Sequence, residues 1–339
     1  MLFLFGRSMP VGLTRYFAEK ARDNGDRVMF ASMGSFGSSE AFSELKVSPD
    51  VLHGQPVAVF QSLAQAGDFS ANDYFTQMLI AGDTLKRYGA GPLWAVVPFG
   101  PYARQDQERA GKMDSVACDA AARFLSQDYV GISTVEIHSA KAQNLLENRF
   151  GAANVFSINP TGIFEQDTAS FQLRLPVVVS PDQGANARAD SLAAVLGADR
   201  FYVDKVRSEI INTRIAGSRG EVAGRDAIMV DDMVDTFGTA MKSAELVRGK
   251  GASRVFFYAS HPVLSHPAWE RLAKLVGDGV IDHVGLGDTV ARGAEFENFR
   301  QQYGPAIADK ISFVPTQELL YRHVKEIVAP HPAMQRKMG

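Results

Sequence analysis

The sequence predicts an α/β protein of two similar halves, each a mostly parallel sheet flanked by helices, and three observations carry that prediction. Apolar runs of strand length alternate with longer stretches of helical periodicity. The alternation restarts after Asn159-Pro160-Thr161-Gly162, a Pro/Gly break suited to a boundary between halves. Polar residues with useful chemistry stand directly after several apolar runs, which is where open parallel sheets bind ligands.

In chain order, the apolar opening, residues 2–5, reads as a buried first strand; it is too short for a signal-peptide core and runs straight into Gly6-Arg7-Ser8. A helix over 11–22 follows, then strand 57–61 with helix 73–88, strand 93–98 with helix 115–125, and strand 135–137 with helix 140–149. The second half repeats the theme with strand 176–180, helix 187–196, strand 201–203, strand 227–230, a helix over about 240–248, and strand 255–260. Residues 208–224, of mixed polarity and poor periodicity, read as a long irregular flap. The expected domains are 1–159 and 160–315, with a helix over 316–329 joining the first and a frayed tail over 330–339.

Composition narrows the function classes. With 339 residues, 46% hydrophobic and 22% charged, the chain has ample material for two ordinary cores. A net charge of −3 gives no overall basic field for nucleic acid or an anionic membrane surface, so any phosphate binding must be local. Cys118 is the only cysteine, which excludes an intrachain disulfide framework and a multi-cysteine zinc site and fits a reducing, cytoplasmic setting.

The densest signal is Val230-Asp231-Asp232-Met233-Val234-Asp235-Thr236-Phe237-Gly238-Thr239-Ala240: an apolar strand, two adjacent carboxylates, a Thr/Gly loop and a helix start. Helix N-termini carry N–H groups without intrahelical partners and a favourable dipole, so Thr236, Gly238 and Thr239 suit a phosphate, and Asp231 and Asp232 suit sugar hydroxyls. The plain alternative is a strand, a turn and a capped helix. After strand 93–98 come Phe99, Tyr102, Arg104 and Gln105, a guanidinium fork with aromatic rings able to stack on a base, or else a solvated polar loop. His138 follows the next strand and is either structural or a metal or phosphate contact. Asp182, in Ser180-Pro181-Asp182-Gln183-Gly184, is either a helix cap or a hard oxygen ligand for Mg²⁺. Lys205 and Arg207, at the base of the flap, can close on a reacting phosphoryl group or form an exposed basic turn.

Together these segments resemble the ribose-phosphate diphosphokinases, also called phosphoribosyl pyrophosphate synthetases, over nearly the whole chain. Pro98-Phe99-Gly100-Pro101-Tyr102-Ala103-Arg104-Gln105-Asp106-Gln107 is similar to the family's P-Y-x-x-Y-A-R-Q-D-R, and Glu136-Ile137-His138-Ser139 to its D-L-H-S. Val178 to Ala185 resembles V-V-S-P-D-x-G-G, Asp204-Lys205-Val206-Arg207 resembles D-K-R-R, and Asp231 to Thr239 matches D-D-x-x-D-T-x-G-T. Leu85-Lys86-Arg87 and Ser260-His261-Pro262-Val263-Leu264-Ser265 also match family segments.

The resemblance implies two phosphoribosyltransferase-type, Rossmann-like domains and homo-oligomers built from dimers, commonly a hexamer. It implies transfer of the diphosphoryl group of Mg·ATP to the 1-hydroxyl of ribose 5-phosphate, releasing AMP, in nucleotide biosynthesis. By matched position, Asp231, Asp232, Asp235, Thr236, Phe237, Gly238 and Thr239 hold ribose 5-phosphate; Phe42, Glu44, Arg104, Gln105 and His138 contact ATP; His138 and Asp182 lie at Mg²⁺; and Lys205 and Arg207 act on the transferring group. Four departures stand out. The F-S-D-G-E hairpin is shortened to Ala41-Phe42-Ser43-Glu44-Leu45, Val206 replaces a basic residue, Ala185 replaces a glycine, and the V-T-D/N-T/S-I segment becomes 284–290, with Thr289 as the candidate 5-phosphate contact. Two alternatives stay open at this point: a non-catalytic regulatory homologue that binds an active paralogue, and a phosphoribosyltransferase.

Overall fold

Runs such as Val57-Ala58-Val59-Phe60, apolar at every position, are buried on both faces, as expected for strands inside a sheet covered by helices on each side. The computed structural model describes residues 1–100, 102–109, 111–207 and 213–328, and of residues 30, 204–207 and 213–216 the backbone alone. The chain divides into two units, one comprising Met1–Ile158, Thr289–Ala291 and the segment from Thr316, the other Asn159–Asp288 and Arg292–Pro315.

The first unit runs β1 (Leu2–Phe5), α1 (Val11–Asn24), β2 (Arg27–Ser35), β3 (Ala41–Leu45), α2 (Pro49–Leu52), β4 (Val57–Phe60), α3 (Ala71–Arg87), β5 (Leu93–Val96), α4 (Ala117–Leu125), β6 (Gly131–Val135), α5 (Ala140–Phe150) and β7 (Val155–Ile158). Its sheet has the order β3-β2-β1-β4-β5-β6-β7, parallel except for the β2–β3 hairpin. Helix α3 starts at a reciprocal side-chain cap. Ser70 Oγ accepts the Asp73 N–H at 3.2 Å while Asp73 Oδ2 accepts the Ser70 N–H at 2.8 Å, and Tyr74, Met78, Ala81 and Leu85 then bury one face.

The second unit runs α6 (Thr161–Ala169), β8 (Val177–Ser180), α7 (Asn186–Leu196), β9 (Asp199–Arg207), β10 (Thr213–Arg219), β11 (Asp226–Val234), α8 (Gly238–Gly249), β12 (Arg254–Pro262), α9 (Ala268–Gly277), β13 (His283–Gly287), α10 (Gly293–Tyr303), α11 (Pro305–Ala308) and β14 (Ile311–Val314). Its sheet order, β10-β9-β8-β11-β12-β13-β14, is that of the first sheet position by position. The chain then returns to the first unit as α12 (Gln317–Val328), where Leu320 and Val324 pack in one core with Phe3, Leu13 and Phe17. Among the described residues no helix is long and apolar enough to cross a membrane.

Several expectations are corrected. Strand β6 ends at Val135, where a strand over 135–137 was expected to begin, because Glu136 adopts φ 48° and turns the chain. The Pro/Gly segment read as a boundary turn also starts a helix: the Thr161 N–H donates to Asn159 Oδ1 at 2.8 Å and α6 begins there. Residues 213–219, read as part of an irregular flap, form β10, paired antiparallel with β9. An edge strand reading Thr-Arg-Ile-Ala-Gly-Ser-Arg has neither an apolar run nor a period of two to set it apart from a loop. Residues 208–212 and the tail 330–339 lie outside the described residues.

Candidate active site

Strand β11 is longer than its apolar part. It extends to Val234, so Asp231 and Asp232, expected just beyond the strand, lie on it, with Asp231 in register with Ala259 of β12. The backbone ladder therefore fixes both carboxylates. Their side chains are only 17% and 8% exposed, and Arg188, in the first turn of α7, lies between them: Nη1 is 3.6 Å from Asp231 Oδ1 and Nη2 3.7 Å from Asp232 Oδ1. Burial, then the charge of Asp232, push the Asp231 carboxyl well above the usual carboxylate range; Arg188 opposes the shift and Asp182 adds to it. Asp182 thus belongs electrostatically to the same cluster. It ends the loop after β8, where its Oδ1 accepts the Ala185 N–H at 3.3 Å as a helix cap.

Beyond β11 the chain turns through Thr236 and through Phe237, which sits at φ 64° with its ring buried 5.1 Å from that of Phe257. Helix α8 opens at Gly238 with no side-chain cap, so the N–H groups of its first turn face the loop made by Asp235, Thr236, Phe237, Gly238 and Thr239. Positive φ at a phenylalanine is unusual, and the buried ring is what holds it. Lys205 and Arg207 have their backbones in β9, opposite Ile215 and Thr213 of β10; their side chains lie outside the described residues.

In the first unit, Arg104 and Gln105 occupy the loop after β5. The Gln105 carbonyl accepts the Cys118 N–H at 3.2 Å, and Ser115 Oγ donates to Gln105 Oε1 at 3.4 Å. Asp106 accepts the Ser139 hydroxyl, and Lys141 donates to Gln107. Ser139 also caps α5 by accepting the Ala142 N–H at 3.0 Å, so the Arg104–Gln107 loop and the half-buried His138 share one framework. Phe42 and Glu44 lie on β3: the Phe42 ring is 4.9 Å from that of Phe36, and the exposed Glu44 pairs with Lys46 at 2.5 Å.

Three side chains do not sit as expected. Tyr102, a candidate base-stacking ring, has its edge against Phe75 and its hydroxyl on Asn72 Oδ1 at 2.6 Å, while Phe99 packs on the core of the first unit. Thr289, the candidate 5-phosphate contact, is fully buried, and its carbonyl accepts the Ser62 hydroxyl within the first unit. Conversely, Arg188 and Asp106 were given no role from the sequence. Arg188 lies one helical turn beyond Gly184, and a basic residue entering a helix there was the available signal. Among the described residues no group of three or more His, Cys, Asp or Glu converges as a metal site.

Two family models match the chain: the N-terminal domain of ribose phosphate pyrophosphokinase over residues 18–128, and the phosphoribosyl synthetase-associated domain over residues 215–300. The ribose-phosphate pyrophosphokinase of Buchnera aphidicola is 33% identical over 296 residues, covering 86% of each protein. That of Vibrio cholerae is 33% identical over 284 residues, covering 82% of this chain and 85% of the relative. The crystal structure of phosphoribosylpyrophosphate synthetase from Mycobacterium smegmatis superposes with a TM-score of 0.77 at 28% identity, covering 96% of this chain and 98% of that one. With the paired acids of β11, the uncapped start of α8 and a similarity that spans both sheets, the chain belongs to the ribose-phosphate pyrophosphokinase family of enzymes.

Proposed function

We propose that this protein transfers the β,γ-diphosphoryl group of Mg·ATP to the 1-hydroxyl of ribose 5-phosphate, giving phosphoribosyl pyrophosphate and AMP. The observation that carries the reading is the site at the end of β11. Two buried carboxylates balanced by Arg188 can accept hydrogen bonds from vicinal hydroxyls, and an uncapped helix start one turn further on can receive a phosphate. Asp231, Asp232, Asp235, Thr236, Phe237, Gly238 and Thr239 hold the sugar phosphate; Arg104, Gln105 and His138, with Phe42 and Glu44 from the β3 hairpin, take the nucleotide; Lys205 and Arg207 neutralise charge on the group in transit. Transfer of this kind asks for alignment and charge neutralisation rather than a protein nucleophile.

The donors fit Mg²⁺. This ion takes one or two protein ligands and fills its shell with waters and substrate phosphates, so the carboxylate of Asp182, with His138 as the second candidate, suffices without a three-residue cluster. When bound, Mg²⁺ supplies charge neutralisation on the phosphate oxygens of ATP. A cytoplasmic setting and self-association into a dimer-based ring belong to the same reading. Release of AMP that depends on ribose 5-phosphate, followed with a coupled assay, tests it. No turnover with any common nucleoside triphosphate at saturating Mg²⁺ would sink it, and isolation as a stable complex with an active paralogue would point to a regulatory homologue instead.

A further inference from the structure

The loop that carries the phosphate-binding assignment is held from behind by a residue that no motif contains. Arg271 stands in the second turn of α9, and its Nη1 donates to the carbonyl of Thr236 at 2.8 Å. It also lies against the start of α8: a Cβ placed on Gly238 would be 3.1 Å from Arg271 Nη1. Among the described residues the guanidinium meets no carboxylate, so its cation is directed at the loop alone. The same segment grips the loop a second time, because the Leu264 N–H donates to the carbonyl of Val234 at 3.0 Å.

Those two contacts have a stereochemical consequence. In a trans peptide the carbonyl and the following N–H point in opposite directions. Drawing the carbonyls of Val234 and Thr236 towards the α9 segment therefore turns the N–H groups of Asp235 and Phe237 away from it, to the opposite side of the loop. A carbonyl facing an anion repels it, and Arg271 holds that of Thr236 on the α9 side. Phe237, at φ 64°, is in a conformation that a free loop would leave.

We propose that Arg271 is a positioning residue for the 5-phosphate of the sugar: it fixes the Thr236–Phe237 peptide so that the loop presents N–H groups, not a carbonyl, to the anion. It touches the loop rather than the substrate. A side chain at position 238 would have to displace the Arg271 guanidinium by a few tenths of an ångström. This inference rests on the assignment of the loop to ribose 5-phosphate given above.

The test compares full-length wild type, Arg271→Met and Arg271→Lys by isothermal titration with ribose 5-phosphate and by steady-state kinetics. Met keeps the apolar stem and removes the donor. Loss of a charge-assisted hydrogen bond that shapes the site raises Kd and KM for ribose 5-phosphate by about tenfold to a hundredfold. KM for Mg·ATP and the melting temperature stay at wild-type values, and Lys, which keeps a cationic donor, recovers part of the loss. Unchanged ribose 5-phosphate binding in Arg271→Met overturns the inference, as does an equal rise in both KM values with a lower melting temperature, which marks a purely structural residue. A wild-type chain that binds no ribose 5-phosphate overturns the loop's assignment itself, and this inference with it.

Discussion

Two carboxylates on adjacent residues of a buried strand are unfavourable unless something answers their charge, and Arg188 is that answer in this protein. Its guanidinium spans both acids, yet the Asp231 carboxyl is still held well above its usual range, by burial first and by Asp232 second. A carboxyl whose folded-state pKa is raised favours folding below its unfolded pKa, and that contribution is lost as pH rises through the folded value. Near neutral pH, above the unfolded pKa, the Asp231 carboxyl therefore costs stability. Asp231→Asn is expected to raise the melting temperature by about 2–4 °C near neutral pH, the shift that ~1 kcal/mol makes in a unit of this size, with the gain shrinking as pH falls towards the ordinary carboxylate range. The same variant weakens ribose 5-phosphate binding and leaves ATP binding intact. Scanning calorimetry across pH, with separate titrations of each ligand, checks both halves; parallel loss of both ligands would indicate misfolding. At this scale the sequence displayed the acids but not their partner. A dyad can be read from adjacency, whereas Arg188 meets it only through the packing of α7 on β11.

At the scale of elements, the strands that bear the site are tied at their other ends. Asp226, 1% exposed at the start of β11, accepts from Arg254 Nη2 at 2.5 Å and from the Arg174 N–H at 2.6 Å, locking β11 to β12 and to the segment before β8. Burial alone would raise its pKa, but the bonds from Arg254 and from the Arg174 N–H outweigh it, so the pKa is lowered. The sign is the reverse of Asp231: this stability is present above the unfolded pKa and is lost as pH falls through the folded one. Asp226→Ala is expected to destabilise the second unit by ~3 kcal/mol, the lower end for a broken buried pair because Arg254 is partly exposed and can be rehydrated. Chemical denaturation measures this, and a loss below ~1 kcal/mol would contradict the role. Interior strands such as β4, apolar at every residue, and β8, with three valines in a row, were legible from their apolar runs. Strand β10 was not, since its Thr, Arg, Gly and Ser residues leave this edge strand without an apolar run. The polar end of β11 hid for a related reason: Asp231 and Asp232 are strand residues because of the β12 ladder, a tertiary cause that local propensity does not contain.

On the scale of the whole chain, one strand order is used twice, and the comparison shows what distinguishes the site. Position for position, β4 corresponds to β11, and where β11 carries Asp231-Asp232 the chain after β4 carries Gln61-Ser62, neutral and buried. The first unit keeps the architecture without the acids, which is why only the second is assigned the sugar phosphate. The repetition was legible as an alternation that restarts, but the equality of the two sheets depends on strands such as β7, β13 and β14, whose apolar runs are interrupted by Ser, His or Gly. The return of the chain as α12 also matters for folding. Leu320 is fully buried in the cluster with Phe3, Leu13 and Phe17, so Leu320→Ala should cost the first unit about 2–5 kcal/mol although the residue is distant from it in sequence. A melting profile in which that unit is unaffected would contradict this packing. The most direct measurement of all follows the β-phosphorus of labelled ATP during turnover with ribose 5-phosphate. Diphosphoryl transfer places the label on the sugar and releases AMP in equal amount; label retained in ADP, or released without appearing on ribose, would contradict the proposed reaction.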